Sequence, residues 1–165
     1  MTRFRIIQTG LFATTMVMLI VTASAPSQPP RPAQPQSRPR PKLEAVAETK
    51  LLMEGLLQAN FRGLERNLRQ RPADETAWIY ARGQALLMAE TGNLLLLRPP
   101  KSTGQDAWLE MAVDLREKST RLARSAAAKD LEQSRIGLAN VATSCNRCHQ
   151  TFGQATRIVP FAEAP

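Results

Sequence analysis

Two cysteines and one histidine, clustered near the end of the 165-residue chain, are the side chains best suited to chemistry. They are Cys145, Cys148 and His149, and the sequence contains no other cysteine or histidine. Residues three or four positions apart share a face of an α-helix, so a helix here would project both thiols and the imidazole from one side. Such a set suits covalent haem attachment, a thiol redox pair, zinc binding or a disulfide.

The segment from Cys145 to His149 has the pattern C-x-x-C-H, which is typical of c-type haem attachment. In that chemistry the two thiols add to the two vinyl groups at one edge of the porphyrin, and the imidazole becomes an axial ligand of the iron. A thioredoxin-type pair requires a βαβ context, zinc would find only three ligands, and a disulfide leaves His149 unexplained. The motif therefore predicts one covalently bound haem c.

Four segments with apolar residues at a period of 3.6 precede or contain this motif, and they predict four helices. Helices are expected over about 43–60, over about 74–97, from a cap at Ser102 or Thr103 to about 126, and from a cap at Asp130 to about 153. Residues 61–71 extend the first helix or form a loop, and Pro72 suits the first turn of the second. Short links between helices of this length favour an all-α, antiparallel four-helix bundle.

The N-terminal 42 residues are expected to lie outside the haem domain of residues 43–165. Residues 1–25 have the three parts of a signal peptide, namely a basic start, an apolar run over 6–21 and the small residues Ala23-Ser24-Ala25. This pattern predicts export to the periplasm. An uncleaved membrane anchor is the alternative. Residues 26–42 contain seven prolines and no acidic residue, which indicates an extended linker.

Charge and motif content exclude several functions. The net charge is +8, but residues 43–165 carry 16 basic and 14 acidic side chains, so the excess lies in the N-terminal segment. This distribution argues against a nucleic acid partner, which would require a basic folded surface. The domain also has no paired-carboxylate site, phosphate-binding glycine loop or metalloprotease motif. We therefore expect a protein that is not an enzyme.

With C-x-x-C-H near the C-terminal end of four predicted helices, the chain resembles the class II c-type cytochromes, which comprise the cytochrome c prime family and its low-spin relatives. Class I cytochromes c carry the motif near the N-terminus instead. The resemblance covers roughly residues 43–153, and only the haem motif is specific. It implies a four-helix bundle in which the last helix binds haem and the first helix covers the distal side of the iron.

The resemblance also implies a distal residue on the first helix, where Met53 is the only methionine. A Met53 thioether would give a six-coordinate, low-spin iron with a raised potential, whereas a Met53 that only packs would leave a five-coordinate iron. Phe152 is expected to form part of the haem wall. Family members often carry an arginine one turn before the distal residue, but Thr49 stands there, so Lys50, Arg82 and Arg98 are the alternative partners of the haem propionates.

Two functions are consistent with these features. The first is the transfer of single electrons between exported redox partner proteins, with His149 and Met53 as iron ligands. The second is the binding or sensing of small gases such as NO and CO at a five-coordinate iron, as in cytochrome c prime. A homodimer is possible in either case, because family members often pair through their first two helices.

Overall fold

The computed structural model describes residues 41–162, and four helices account for most of them. The first helix is a continuous run of three stretches, the α-helix Thr49–Leu52, the π-helix Met53–Gln58 and the α-helix Ala59–Arg69. The second is Glu75–Leu96, the third is Gln105–Ala127 and the fourth is Leu131–Thr151. No strand occurs within 41–162, so the prediction of an all-α protein with four helices is confirmed for this part of the chain.

The predicted signal peptide over 1–25 and all but the last two residues of the linker over 26–42 lie outside the described residues. Within the described residues, no helix is both long enough and apolar enough to cross a membrane.

The first helix begins later and extends further than the sequence predicted. Leu43 and Val46 are 79% and 94% exposed, because the chain before Thr49 packs against nothing that could bury them. At the other end, Phe61 and Leu68 are buried in the core. Residues 61–69 therefore continue the helix, because their apolar side chains stabilise it by burial.

The sequence predicted the N-cap of the fourth helix correctly and the N-cap of the third helix wrongly. Asp130 accepts a hydrogen bond from the backbone N–H of Gln133 at 3.0 Å, which confirms it as the cap of the fourth helix. The third helix begins differently, because its N-cap is Gly104, with φ of 81°, and neither Ser102 nor Thr103 caps it. Pro72 precedes the second helix, whose N-cap is Asp74.

The second and third helices run in opposite directions, and so do the third and fourth. Trp108, early in the third helix, donates its indole N–H to the carbonyl of Leu95, late in the second, at 2.8 Å. Further along the third helix, Arg116 donates to the side chain of the earlier residue Asn93 at 3.1 Å. The same inverse order relates the third helix to the fourth, through Asp114 with Ser144 and Leu122 beside Gly137. The short links that predicted an antiparallel arrangement thus join helices that pack side by side.

Apolar residues from all four helices form one core. The fully buried side chains include Leu64 and Leu68, Ala85 and Met88, Leu122 and Ala126, and Leu138 and Val141. Since each helix contributes residues at steps of three or four, one face of every helix points to the common centre.

The second and third helices approach most closely at Gly92. A Cβ added there would lie 2.8 Å from the carbonyl oxygen of Ala112 and 2.9 Å from the Cβ of Arg116. The neighbour at this point is backbone, which cannot rotate away, so the two helices would have to separate. Gly92 is required here for its small size.

We predict that Gly92→Ala destabilises the protein by about 1–3 kcal/mol, because the added methyl overpacks the contact between the two helices. The matched control is Gly83→Ala on the same helix, where a Cβ meets nothing within 4 Å. That change should stabilise the protein by up to about 1 kcal/mol through helix propensity. Urea unfolding measures both free energies, and equal stabilities of the two variants would contradict the close approach.

Candidate functional site

A cavity of about 580 Å³ lies between the first, third and fourth helices and the chain that follows the fourth helix. Its volume is within the range of cofactor sites, about 300–1,000 Å³. All five residues predicted for the site line it, namely Met53, Cys145, Cys148, His149 and Phe152. Apolar side chains form much of the remaining wall, including Leu57, Phe61, Leu95, Trp108, Leu115 and Ile158.

The fourth helix brings the C-x-x-C-H residues to the cavity because they continue its buried face. Leu138 and Val141 are fully buried in the core, and Cys145 follows one turn later with 8% exposure. Cys148 and His149, one further turn along, are half-buried. The spacing of three and four residues therefore places both thiols and the imidazole at the same cavity.

Burial keeps both thiols protonated. It raises the pKa of Cys145 to about 12, to which the neighbouring Cys148 thiol also contributes. Burial raises the pKa of the Cys148 thiol as well, although the positive charge of Arg147 opposes it. Both cysteines are free in this structure. They are available for covalent attachment to a group placed in the cavity.

His149 is oriented by one hydrogen bond. Its Nδ1 lies 2.7 Å from the backbone carbonyl oxygen of Thr156. A carbonyl can only accept, so Nδ1 carries the proton and the neutral ring keeps its lone pair on Nε2. Metal-bound histidines are commonly held in this way, with one ring nitrogen donating to a carbonyl and the other facing the metal. The tautomer of His149 thus suits a metal ligand.

The chain that supplies this carbonyl was not predicted to take part in the site. After the fourth helix the chain reverses at Gly153, where φ is 67°, and returns along the helix. Asn146 fixes it with two hydrogen bonds of 2.7 Å, one donated to the carbonyl of Ile158 and one accepted from the N–H of the same residue. We call residues 154–162 the return segment. It places Thr156 beside His149.

Contacts with the first and fourth helices fasten the far end of the return segment. Glu65, a buried residue of the first helix, accepts a hydrogen bond from the N–H of Phe161 at 2.5 Å. Arg69 donates to the carbonyl of Ala162 at 3.0 Å. The guanidinium of Arg135, on the fourth helix, lies 6.0 Å from the centre of the Phe161 ring. The sequence signal for these contacts is Glu65, a carboxylate on the same helix face as the apolar residues Phe61 and Leu68.

Arg147, between the two cysteines, is held outside the cavity by carboxylates of the third helix. Its guanidinium lies 3.4 Å from Asp114 and 3.6 Å from Glu110. Burial alone would raise the pKa of Asp114, but hydrogen bonds from Ser144 and Lys118, with the charges of Lys118 and Arg147, lower it overall. Asp114 therefore stays ionised and holds these groups together at neutral pH.

Two methionines line the cavity. Met53 comes from the first helix, as predicted, but Met111 of the third helix lines it too. The third methionine of residues 41–162, Met88, is fully buried in the core and does not line the cavity. The sequence does not single out Met111, because a methionine on the apolar face of a helix fits a packed core equally well.

Two aromatic residues of the cavity wall, one on the third helix and one at the end of the fourth, are in contact. Phe152 packs edge-to-face on Trp108, with ring centroids 5.2 Å apart. This contact joins Phe152 and Trp108 into one wall of the cavity.

Of the three basic residues considered as propionate partners, only Lys50 lines the cavity. Arg98 instead donates to the carbonyls of Ala47 and Leu94, so it fastens the start of the first helix to the end of the second. Arg82 is exposed and does not line the cavity. Arg62, which sequence reasoning missed, lines it and pairs with Glu65 at 2.8 Å.

The donor set fits a covalently bound haem better than a free metal ion. Within residues 41–162, no cluster of three or more His, Cys, Asp or Glu side chains is placed to hold a metal ion. A haem iron needs only axial ligands from the protein. Two thiols, one correctly protonated imidazole, thioethers and apolar walls at one cavity match that requirement.

A comparison of the chain with models of known protein families finds no match, and a comparison with curated protein sequences finds none either.

We predict that the Cys145 thiol reacts more slowly with iodoacetamide in the folded than in the unfolded chain, because iodoacetamide alkylates the thiolate. An unfolded cysteine titrates near about pH 8.5, whereas Cys145 in the folded chain titrates at about 12. Between these values Cys145 should be alkylated far more slowly in folded than in unfolded protein. Mass spectrometry of haem-free protein, with and without urea, measures both rates. Equal rates in the folded and unfolded chain would contradict the burial of Cys145.

We predict that Asn146→Ala loosens the return segment. The change removes both hydrogen bonds to Ile158, each contributing about 0.5–1.5 kcal/mol. Hydrogen exchange of residues 154–162, followed by mass spectrometry, should become faster while the four helices keep their protection. The matched control is Gln150→Ala, an exposed position one turn further along the same helix. Unchanged exchange in Asn146→Ala would show that Asn146 does not hold the segment.

Proposed function

We propose that the protein is a monohaem c-type cytochrome that transfers single electrons between redox partner proteins. The observation that carries this proposal is that Cys145, Cys148, His149 and Met53 line one largely apolar cavity. The proposed haem c would be attached through the two cysteines. When bound, haem supplies an iron that cycles between the ferrous and ferric states by one electron. The N-terminal pattern of residues 1–25 supports an exported, periplasmic protein.

The side chains around the cavity would have different roles in binding the haem and its iron. His149 would bind the iron through Nε2, and the Thr156 carbonyl keeps the imidazole in the required tautomer. Met53 would supply its thioether to the iron, which would raise the reduction potential. The apolar walls limit water near the iron, which also tunes the potential. None of these roles requires a general acid or base, in agreement with a function that is not catalytic.

The binding of small gases such as NO or CO is the second candidate function. It requires that Met53 fill space without binding the iron. The observation that supports it is that Met53 shares the cavity with Met111, as methionines often do when they fill irregular apolar gaps. In both cases the haem attachment is the same, and only the distal side of the iron differs.

The test of haem attachment is the intact mass and visible spectrum of protein matured with haem-ligation machinery. The mass should increase by one haem, and the double variant Cys145→Ala/Cys148→Ala should lose it. A colourless protein whose mass shows no added group would refute the proposal, including the alternative of gas binding.

We predict that Met53→Leu converts a six-coordinate into a five-coordinate iron. The wild-type spectrum should be low-spin in both oxidation states and unaffected by CO, because no coordination site is open. Met53→Leu should give a high-spin ferrous form that binds CO. Met111→Leu is the matched control, since it changes the other methionine of the same cavity and should leave the spectrum unchanged. A wild-type protein that already binds CO would favour gas binding, and a changed spectrum in Met111→Leu alone would assign the ligand to Met111.

A further inference from the structure

The first helix departs from α-helical geometry where it lines the cavity. Residues Met53–Gln58 form a π-helix between two α-helical stretches. A π-helix closes its hydrogen bonds five residues apart and takes one more residue per turn than an α-helix. Such segments are rare and often occur at functional sites. The extra residue changes the direction of every side chain that precedes it.

The effect on Met53 follows from the helical angle of about 100° per residue. In an uninterrupted α-helix, Met53 would point about 80° away from the buried Phe61, and Glu54 only about 20° away. One extra residue in the turn between them brings Met53 to about 20° and Glu54 to about 120°. In the structure both residues line the cavity, but Met53 is half-buried whereas the side chain of Glu54 is 56% exposed, so Met53 lies deeper.

Asn60 lies where the π-helix returns to α-helix. Its side-chain amide donates a 2.7 Å hydrogen bond to the carbonyl of Leu56, inside the π-helical stretch. The same carbonyl also accepts the backbone N–H of Ala59. Side chains that bond to carbonyls one turn back compete with the regular helix pattern and distort it. Asn60 therefore stabilises the local change of register.

We propose that Asn60 is a positioning residue that holds the π-helical segment and so turns Met53 deeper into the cavity than its neighbour Glu54. The functional consequence of this inference rests on the proposed function, in which Met53 is the distal ligand of the haem iron. The geometric part concerns only the direction of two side chains and is testable by itself.

The decisive variants are Asn60→Ala and Asn60→Ala combined with deletion of Gly55. Asn60→Ala removes the amide and favours α-helix, so Met53 should turn away. Deleting Gly55, where a Cβ would meet nothing within 4 Å, removes the extra residue. An uninterrupted α-helix would then direct Met53 to the cavity again. Asn67→Ala is the matched control, because this amide of the same helix donates to Gln84 at 3.0 Å and lies outside the π-helical stretch.

Two readouts separate the inference from the proposed function, one on haem-loaded protein and one that requires no haem. The first is the spectrum with and without CO, which reports iron ligation. The second is chemical labelling followed by mass spectrometry, in which peroxide oxidises Met53 and a carbodiimide labels Glu54. In Asn60→Ala we expect CO binding, several-fold faster oxidation of Met53 and slower labelling of Glu54. The added deletion should restore wild-type values, and Asn67→Ala should keep them.

Unchanged labelling of Met53 and Glu54 in folded Asn60→Ala would overturn the inference. If that variant does not fold, the double variant decides, because an uninterrupted α-helix must keep Met53 protected, and a folded double variant with exposed Met53 would overturn the inference. A wild-type protein that binds CO, or carries no haem, would refute Met53 ligation or haem binding instead. The labelling rates would still report whether Asn60 directs Met53.

Discussion

The site depends on a reversal of the chain, because the imidazole of His149 needs a hydrogen-bond acceptor that its own helix does not supply. Carbonyls inside a helix are already bonded to N–H groups one turn later. The fourth helix ends at Thr151, Gly153 adopts a positive φ, and the chain then brings the carbonyl of Thr156 within 2.7 Å of Nδ1. The end of the helix is therefore as important to the site as the spacing of the motif within it.

A return segment of nine residues cannot hold this position through its own core, since most of it is exposed and only Ile158, Pro160 and Phe161 are half-buried. It is held by polar contacts, which stabilise a structure modestly one by one. Those contacts reach Asn146 on the fourth helix and Glu65 on the first, which is 96 residues away from its partner Phe161. The orientation of His149 thus depends on contacts that join the return segment to two different helices.

Some features of the site depend on residues close together in the sequence and others on residues far apart, and only the first kind can be predicted from the sequence. The four helices, the cap at Asp130 and the shared face of Cys145, Cys148 and His149 follow from apolar period and local spacing, which are properties of neighbouring residues. The predicted start of the first helix was wrong, because Val46 fits the helical period but its side chain is exposed and is not buried by another segment. The roles of Thr156 and Met111 depend on how distant segments meet. The exposed return segment also has no apolar pattern that would have indicated its course.

The first helix links the two sides of the cavity. Its α-helical stretch Ala59–Arg69 carries Glu65, which holds the return segment and thereby the carbonyl beside His149. Its π-helical stretch Met53–Gln58 carries Met53 on the cavity wall. A rotation or shift of this helix would therefore move the contact behind the imidazole and the thioether together. Because the buried side chains of Phe61, Leu64 and Leu68 anchor the helix in the core, packing far from the cavity affects the positions of both the imidazole and the thioether.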